Sequence, residues 1–308
     1  MKGLELCRRY YEEVGRPALA RACPELLPRL AAGLVGEGSE CLGYDDDISQ
    51  DHDWGPGFCL WLTRADLAQW GQRAAEIYGA LPKTYLGYTR LREQEMSAGR
   101  VGVLCVEDFY ARFLGRSTSP QEPLDWLRIP DQALQVCTNG AVFEDGPGAF
   151  TAFRQTLLAY YPEEVRRKRL AARCALAAQS GQYNLPRCLR RGERVAALRA
   201  LAEFVDHAQG AFFLLERTYR PYYKWAHRAL AHLPRWGGEA APLFERMAAC
   251  PLDEAVEPVE EASALLIRAL GEEGLPLAEG DFLLPYAQQL QASIRDPLLQ
   301  SLPLMAGA

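Results

Sequence analysis

Residues 34–53 read LVGEGSECLGYDDDISQDHD, in which an apolar run leads into a glycine-rich turn and then into an acidic stretch. The apolar run, from Ala31 to Val35, has the length of a short buried strand. Gly38-Ser39 follows it, and Asp51 and Asp53 come after eleven further residues. Alternate residues of an extended strand point to the same side, so this spacing predicts two carboxylates that project together.

This pattern suits the binding of a triphosphate together with Mg²⁺. Paired carboxylates bind hard divalent cations, and one or two such ions bridge phosphates and stabilise an in-line displacement at phosphorus. Gly38 allows the backbone to come close to a triphosphate, and the Ser39 hydroxyl can donate to its oxygens. We therefore predict Asp51 and Asp53 as metal ligands and catalytic residues, and Gly38 and Ser39 as nucleotide-binding residues.

The Gly-Ser pair and the later Asp-x-Asp resemble the nucleotidyltransferase superfamily that includes polymerase beta and the aminoglycoside adenylyltransferases. More closely, the whole chain resembles an uncharacterised bacterial family, a domain of unknown function with a nucleotidyltransferase-like amino-terminal half. The segments that carry this closer resemblance are residues 36–40, 49–57, 181–184, 187–189 and 219–225. The resemblance implies transfer of a nucleoside monophosphate from a nucleoside triphosphate to a small-molecule acceptor, with Mg²⁺ as cofactor. It leaves the acceptor and the identity of the nucleotide open.

Two features depart from the superfamily pattern. Trp54-Gly55-Pro56-Gly57 follows Asp53, where the superfamily continues a hydrophobic strand, and proline predicts a bulge or break there. The superfamily also places a third carboxylate on a later strand, but position 102 is a glycine. The substitutes within reach of the site are Glu107, Asp108, Glu144 and Asp145. Loss of the third carboxylate favours a second hypothesis, a nucleotide-binding regulatory protein that has lost turnover.

The remaining pattern predicts an α+β fold in two parts. Strands are predicted over residues 58–62, 101–106 and 141–143 in addition to the first, and Thr63 is predicted to cap a helix. From about residue 150 the apolar residues recur at helical spacing, most clearly over residues 195–215. We expect a minimal nucleotidyltransferase mixed sheet with flanking helices in residues 1–150. An all-α helical bundle, the substrate or acceptor domain, is expected in residues 151–308.

The helical half has an aromatic and basic segment, residues 217–228, interrupted by Pro221. Aromatic rings and cations suit stacking on a base and neutralisation of phosphate, and a packed seam is the alternative. In adenylyltransferases of this plan the helical domain faces the nucleotide cleft, and this resemblance implies that Lys224, and to a lesser extent Tyr223, contacts the nucleotide. Arg220 and His227 also resemble, loosely, the Arg-His signature of helical ribonuclease toxins.

Other charged runs have simpler interpretations. Arg166 to Arg169 is expected to form a solvated helix face, with a polyanion contact as the alternative. Asp45, Asp46 and Asp47 are expected to form a solvated loop, with an auxiliary metal contact as the alternative. His52 is expected to lie under the sheet, on the opposite face from the two aspartates.

Composition limits the function classes. The net charge of -6 disfavours nucleic acid as a partner, which weakens the alternative of an enzyme that modifies RNA and leaves protein modification open. The nine cysteines are scattered without a CxxC spacing, so reduced buried thiols are expected and a zinc site is not. The sequence shows neither a signal segment nor a run able to span a bilayer, and a cytoplasmic protein is expected.

Overall fold

The computed structural model describes residues 1–51, 54–89, 99–275 and 278–308, with Asp51 described by its backbone only. The chain divides into two compact units. The first unit contains residues 1–119 and 133–159, and the second contains residues 120–132 and 160–308. The short segment 120–132 therefore belongs to the second unit, although residues 133–159 of the first unit separate it in sequence from the rest of the second.

A four-stranded mixed sheet forms the centre of the first unit. Its strands are β1 (Leu30–Leu34), β2 (Cys59–Leu62), β5 (Gly102–Cys105) and β6 (Ala141–Asp145), in the order β5-β2-β1-β6. β1 is antiparallel to both β2 and β6, whereas β2 is parallel to β5. A separate two-stranded hairpin consists of β3 (Thr84–Tyr85) and β4 (Tyr88–Thr89). The predicted mixed sheet, with strands at all four predicted places, is confirmed.

Helices cover both faces of this sheet. They are α1 (Gly3–Tyr10), α2 (Arg16–Ala22), α3 (Arg64–Gly79), α4 (Val106–Leu114) and α7 (Ala149–Leu158), and a π-helical turn, Tyr11–Gly15, joins α1 to α2. As predicted, the Thr63 side chain caps α3, because its oxygen accepts from the backbone N–H of Asp66. On one face Leu30, Leu60 and Leu62 pack with residues of α1 and α2. On the other face Trp61 stacks on Phe150, with ring centroids 4.0 Å apart.

The described residues of the second unit form helices and loops without a sheet. Its helices are α5 (Pro123–Arg128), α8 (Glu163–Ala177), α9 (Leu185–Arg190), α10 (Arg194–Leu215), α11 (Tyr223–Ala231), α12 (Gly237–Ala249), α13 (Val256–Glu272), α14 (Leu283–Ala292) and α15 (Pro297–Ser301), and α6 (Asp131–Thr138) begins in this unit and ends in the first. The predicted α+β class with an all-helical second part is confirmed. None of the helices in the described ranges is long and apolar enough to span a membrane.

The basic run of α8 corrects the expectation of a solvated helix face. Arg166, Lys168 and Arg169 are 1%, 0% and 2% exposed. α10 and α14 both pack against α8, so most of its circumference lies inside the unit. Charges in such a position must be paired or hydrogen-bonded. The Lys168 ammonium donates to the carbonyl oxygens of Pro303 and Leu304, at 2.9 and 2.8 Å.

Arg169 and a second buried arginine of α8, Arg173, share one carboxylate. Asp131 accepts from Arg169 through one oxygen and from Arg173 through the other, each at 2.8 Å. The Tyr161 hydroxyl adds a hydrogen bond of 3.0 Å to Asp131. We name Asp131, Tyr161, Arg169 and Arg173 the Asp131 cluster. It links the start of α6 to the middle of α8 within the second unit.

Candidate functional site

The glycine turn after β1 is held in a defined shape. Gly36 has a φ of 152°, a conformation that side chains other than glycine adopt only with strain. The side-chain amide of Asn139 holds the peptide groups on both sides of Gly36: its oxygen accepts from the Gly36 N–H at 3.0 Å, and its nitrogen donates to the Gly36 carbonyl at 2.6 Å. The turn is therefore positioned by a residue about a hundred positions away, which sequence reasoning did not identify.

Gly38 and Ser39 lie where the turn passes into a 3₁₀ helix, Ser39–Leu42. Gly38 is buried, and a Cβ atom added there would lie 2.3 Å from each carboxylate oxygen of Glu40. The space that a side chain at position 38 would need is therefore occupied by the Glu40 carboxylate. Ser39 is half-buried, and its carbonyl accepts from the N–H of Tyr44 at 3.0 Å.

A small open cleft adjoins the glycine turn. Gly36, Glu37 and Gly38 line one side, and α4 lines another with Phe109, Arg112 and Phe113. Arg100 and Glu40 also face the cleft. A glycine turn, guanidinium groups and aromatic rings are the groups that bind phosphates and bases. The described residues thus supply the first unit with cations beside the Gly-Ser pair.

Arg112, one of the cations that line the cleft, forms an ion pair with Glu37. One guanidinium nitrogen of Arg112 lies 2.8 Å from a carboxylate oxygen of Glu37, with side chains 42% and 47% exposed. The guanidinium carbon also lies 5.1 Å from the centre of the Phe113 ring. The sequence analysis named Lys224 as the cation for the nucleotide and missed Arg112, which lies 75 residues beyond Glu37. The sequence feature that could have indicated Arg112 is that its helix, α4, directly follows strand β5.

The acidic stretch begins at a buried residue, which corrects the expectation of a solvated loop for Asp45. Asp45 is 4% exposed. Its Oδ2 accepts from the backbone N–H of Gly3 at 2.7 Å and from the indole N–H of Trp54 at 3.2 Å. The Lys2 ammonium lies 3.7 Å from Oδ1. Asp45 and Trp54 flank residues 46–53, so this contact holds together both ends of the segment that carries Asp51 and Asp53.

The predicted metal ligands, Asp51 and Asp53, stand at the end of this segment in the sequence. Asp51 is the last residue of a 3₁₀ helix, Ile48–Asp51. Asp53 and His52 lie outside the described residues. In the same segment Asp46 and Asp47 are exposed, and Asp46 accepts from the N–H and hydroxyl of Ser49. Where side chains are described, no three His, Cys, Asp or Glu residues form a group that could hold a metal ion.

The four candidates for a third carboxylate all make contacts within the fold. Glu107 accepts from the backbone N–H of Arg64, whose side chain pairs with Asp108. Glu144 accepts from the Tyr11 hydroxyl at 2.7 Å and from Arg16 at 2.9 Å. Asp145 accepts from the backbone N–H groups of Gly148 and Thr151 at the start of α7.

The cysteine of the cleft is an uncharged thiol. Cys41 is buried, and burial, followed by the neighbouring charge of Glu40, raises the pKa of its thiol well above the ordinary value. Such a thiol is a poor nucleophile. All nine cysteines are free thiols, and seven are buried, which confirms the expectation for this residue type.

The aromatic-basic segment belongs to the second unit. Tyr223 and Lys224 are exposed at the start of α11, and the Lys224 ammonium lies 5.3 Å from the centre of the Trp225 ring. Their contact with a nucleotide stays a prediction. Arg220 is buried and pairs with Asp206 at 2.6 Å.

His227 contacts a different carboxylate, Glu245, at 3.3 Å. The described contacts of Arg220 and His227 thus do not bring this pair together. Further along the chain, Arg187 lies over the Tyr183 ring at 4.6 Å, beside the π-helical segment Ala178–Asn184 that joins α8 to α9.

These features define an α+β chain with a mixed-sheet unit and a helical unit. Residues 126–226 match the family described as "Domain of unknown function (DUF4037)". This match confirms the predicted resemblance to an uncharacterised family over that segment. The crystal structure of a nucleotidyltransferase-like protein from Exiguobacterium sibiricum 255-15 is similar at 13% identity and a TM-score of 0.36, covering 88% of this chain and 78% of that one. No curated protein matches the chain.

Proposed function

We propose that the chain is a Mg²⁺-dependent nucleotidyltransferase that moves a nucleoside monophosphate from a nucleoside triphosphate to a small-molecule acceptor. The observation that carries the proposal is the cleft after β1, where a glycine turn, a guanidinium group and an aromatic ring face one space. The acidic segment that follows the turn supplies the carboxylates such a reaction requires.

In the proposed reaction an acceptor oxygen attacks the α-phosphorus of the triphosphate. The bond from that phosphorus to the bridging oxygen breaks, and pyrophosphate leaves. Bound Mg²⁺, one ion or two, would neutralise the phosphate charge, and Asp51 and Asp53 are the residues proposed to hold it. The N–H groups of the glycine turn and the Ser39 hydroxyl would donate to phosphate oxygens.

Arg112 and Arg100 line the same cleft as the turn and would provide positive charge for the phosphates. Lys224 and Tyr223 are retained in the proposal as further nucleotide contacts, and the helical unit as the part that binds the acceptor. A cytoplasmic location is part of the same proposal.

A second candidate function is a nucleotide-binding regulatory protein without turnover. The observation that favours it is that Glu107, Asp108, Glu144 and Asp145 are all engaged in contacts of the fold. Each would have to leave those partners to serve as a general base. A fifth carboxylate, Glu40, differs from these four because it lines the cleft next to Gly38 and so already lies at the proposed nucleotide site.

The two functions are separated by incubating the chain with labelled nucleoside triphosphates and Mg²⁺. Pyrophosphate release and a labelled product indicate the enzyme, and binding without pyrophosphate release indicates the regulatory protein. Asp51→Asn with Asp53→Asn should abolish Mg²⁺-dependent binding. A matched control, Asp253→Asn with Glu254→Gln, removes two exposed negative charges from the second unit and should leave Mg²⁺-dependent nucleotide binding unchanged. Absence of nucleotide binding by the unaltered chain would refute both functions.

A further inference from the structure

We infer that Glu37 is a built-in competitor for the phosphate-binding guanidinium of Arg112, so that a triphosphate enters the cleft by taking the place of the Glu37 carboxylate. This inference rests on the proposed function and names a residue that regulates its nucleotide site. It follows from the ion pair between the glycine turn and α4.

The first step is chemical. A guanidinium donates to carboxylate and to phosphate oxygens with the same fork of N–H groups, so a carboxylate in contact with it occupies the place of a phosphate. The contact between Arg112 and Glu37 is 2.8 Å long, which is the length of a charge-assisted hydrogen bond. Both residues line the cleft. One of the N–H groups with which Arg112 could bind an anion is therefore already taken by a carboxylate of the chain itself.

The second step is positional. Glu37 lies between Gly36 and Gly38, and the amide of Asn139 holds the Gly36 peptide. The backbone of the turn is thus fixed, while the Glu37 side chain is 47% exposed and can rotate into solvent. Arg112 lies over the Phe113 ring, which keeps its guanidinium near the cleft once the carboxylate has left.

The third step is energetic. An exposed ion pair contributes little stability, so its exchange for a triphosphate is cheap. A triphosphate carries several negative charges, and a carboxylate that remained beside it would repel it. The pair therefore lowers the affinity for nucleotide without closing the site.

The test is isothermal titration calorimetry of the full chain with MgATP, MgGTP and inorganic tripolyphosphate. Glu37→Gln removes the competing charge and should tighten binding of a triphosphate by about two- to fivefold. Arg112→Met removes the guanidinium and should weaken binding by about 10- to 100-fold. In the double variant, Glu37→Gln should give no tightening because its effect acts through Arg112.

The matched controls come from α3, where Arg73 and Glu76 form a pair of similar exposure, 51% and 52%, away from the cleft. Arg73→Met and Glu76→Gln should leave all affinities unchanged. If the unaltered chain binds a triphosphate but Arg112→Met binds it equally well, or Glu37→Gln does not tighten it, the inference is overturned and the proposed function stands. If no probe binds to the unaltered chain or to Glu37→Gln, both are overturned.

Discussion

Replacement of Asp131 by Asn tests how the second unit accommodates its buried charges. Asn has nearly the same shape as Asp but no negative charge, so it would leave Arg169 and Arg173 without their shared counterion. Both arginine side chains are at most 5% exposed, and so is Asp131. Removing one partner of a buried ion pair costs about 3–5 kcal/mol. For a unit of this size that corresponds to a fall in melting temperature of about 6–20 °C.

The assay is differential scanning calorimetry at neutral pH, and the control is Asp253→Asn. Asp253 pairs with Arg194 at 2.8 Å, but the two side chains are 61% and 59% exposed. Loss of an exposed pair costs less than about 1 kcal/mol, so this variant should melt close to the unaltered chain. Equal, small shifts for the two variants would show that the Asp131 cluster does not stabilise the second unit and would refute the reasoning.

The same cluster predicts a dependence on acid. Burial alone raises the pKa of Asp131, but the charges of Arg169, Arg173 and Arg220 outweigh it, and the pKa falls below the ordinary value of 3.8. A carboxylate with a lowered pKa in the folded state stabilises the fold above the unfolded-state pKa, and this contribution is lost as the pH falls through the folded-state value. The unaltered chain should therefore lose stability below about pH 4, and Asp131→Asn should lack that part of the loss.

Three further predictions concern single positions. Burial lowers the pKa of Lys168 to about 8, so the unfolded chain binds more protons between pH 8 and 10.5. The contribution of Lys168 to the free energy of unfolding should therefore rise across this window, so the difference in stability between the unaltered chain and Lys168→Met should grow in favour of the unaltered chain from pH 8 to 10.5 in urea titrations. Gly181→Ala would place a Cβ atom 2.3 Å from a buried aromatic ring and should lower the melting temperature, whereas Gly238→Ala, with no atom within 4 Å, should raise it slightly. Asp45→Asn should reduce the free energy of unfolding by about 1–3 kcal/mol, and the exposed Asp47→Asn by less than about 0.5 kcal/mol, in the same urea assay.

Much of the fold could be predicted from local patterns. The strands that begin at residues 30, 59, 102 and 141 and the helix capped by Thr63 lie where short apolar runs and a capping residue indicated them. The glycine turn was recognised because it follows an apolar strand. The contact that Asn139 makes with this turn could not be predicted, because an asparagine after a helix has no pattern that indicates its partner.

The sequence by itself determined the two periodicities, and with them the α+β class and the place of the Gly-Ser turn, because strand and helix spacing depends on neighbouring residues. The tertiary structure alone decided which charges are buried and which meet. Arg166, Lys168 and Arg169 look like a solvated run, yet the helices packed against α8 enclose them. Arg112 reaches Glu37 only because α4 follows a strand of the same sheet. Burial and pairing of charge depend on which elements pack together over long distances in sequence. The local spacing of residue types does not indicate which elements these are.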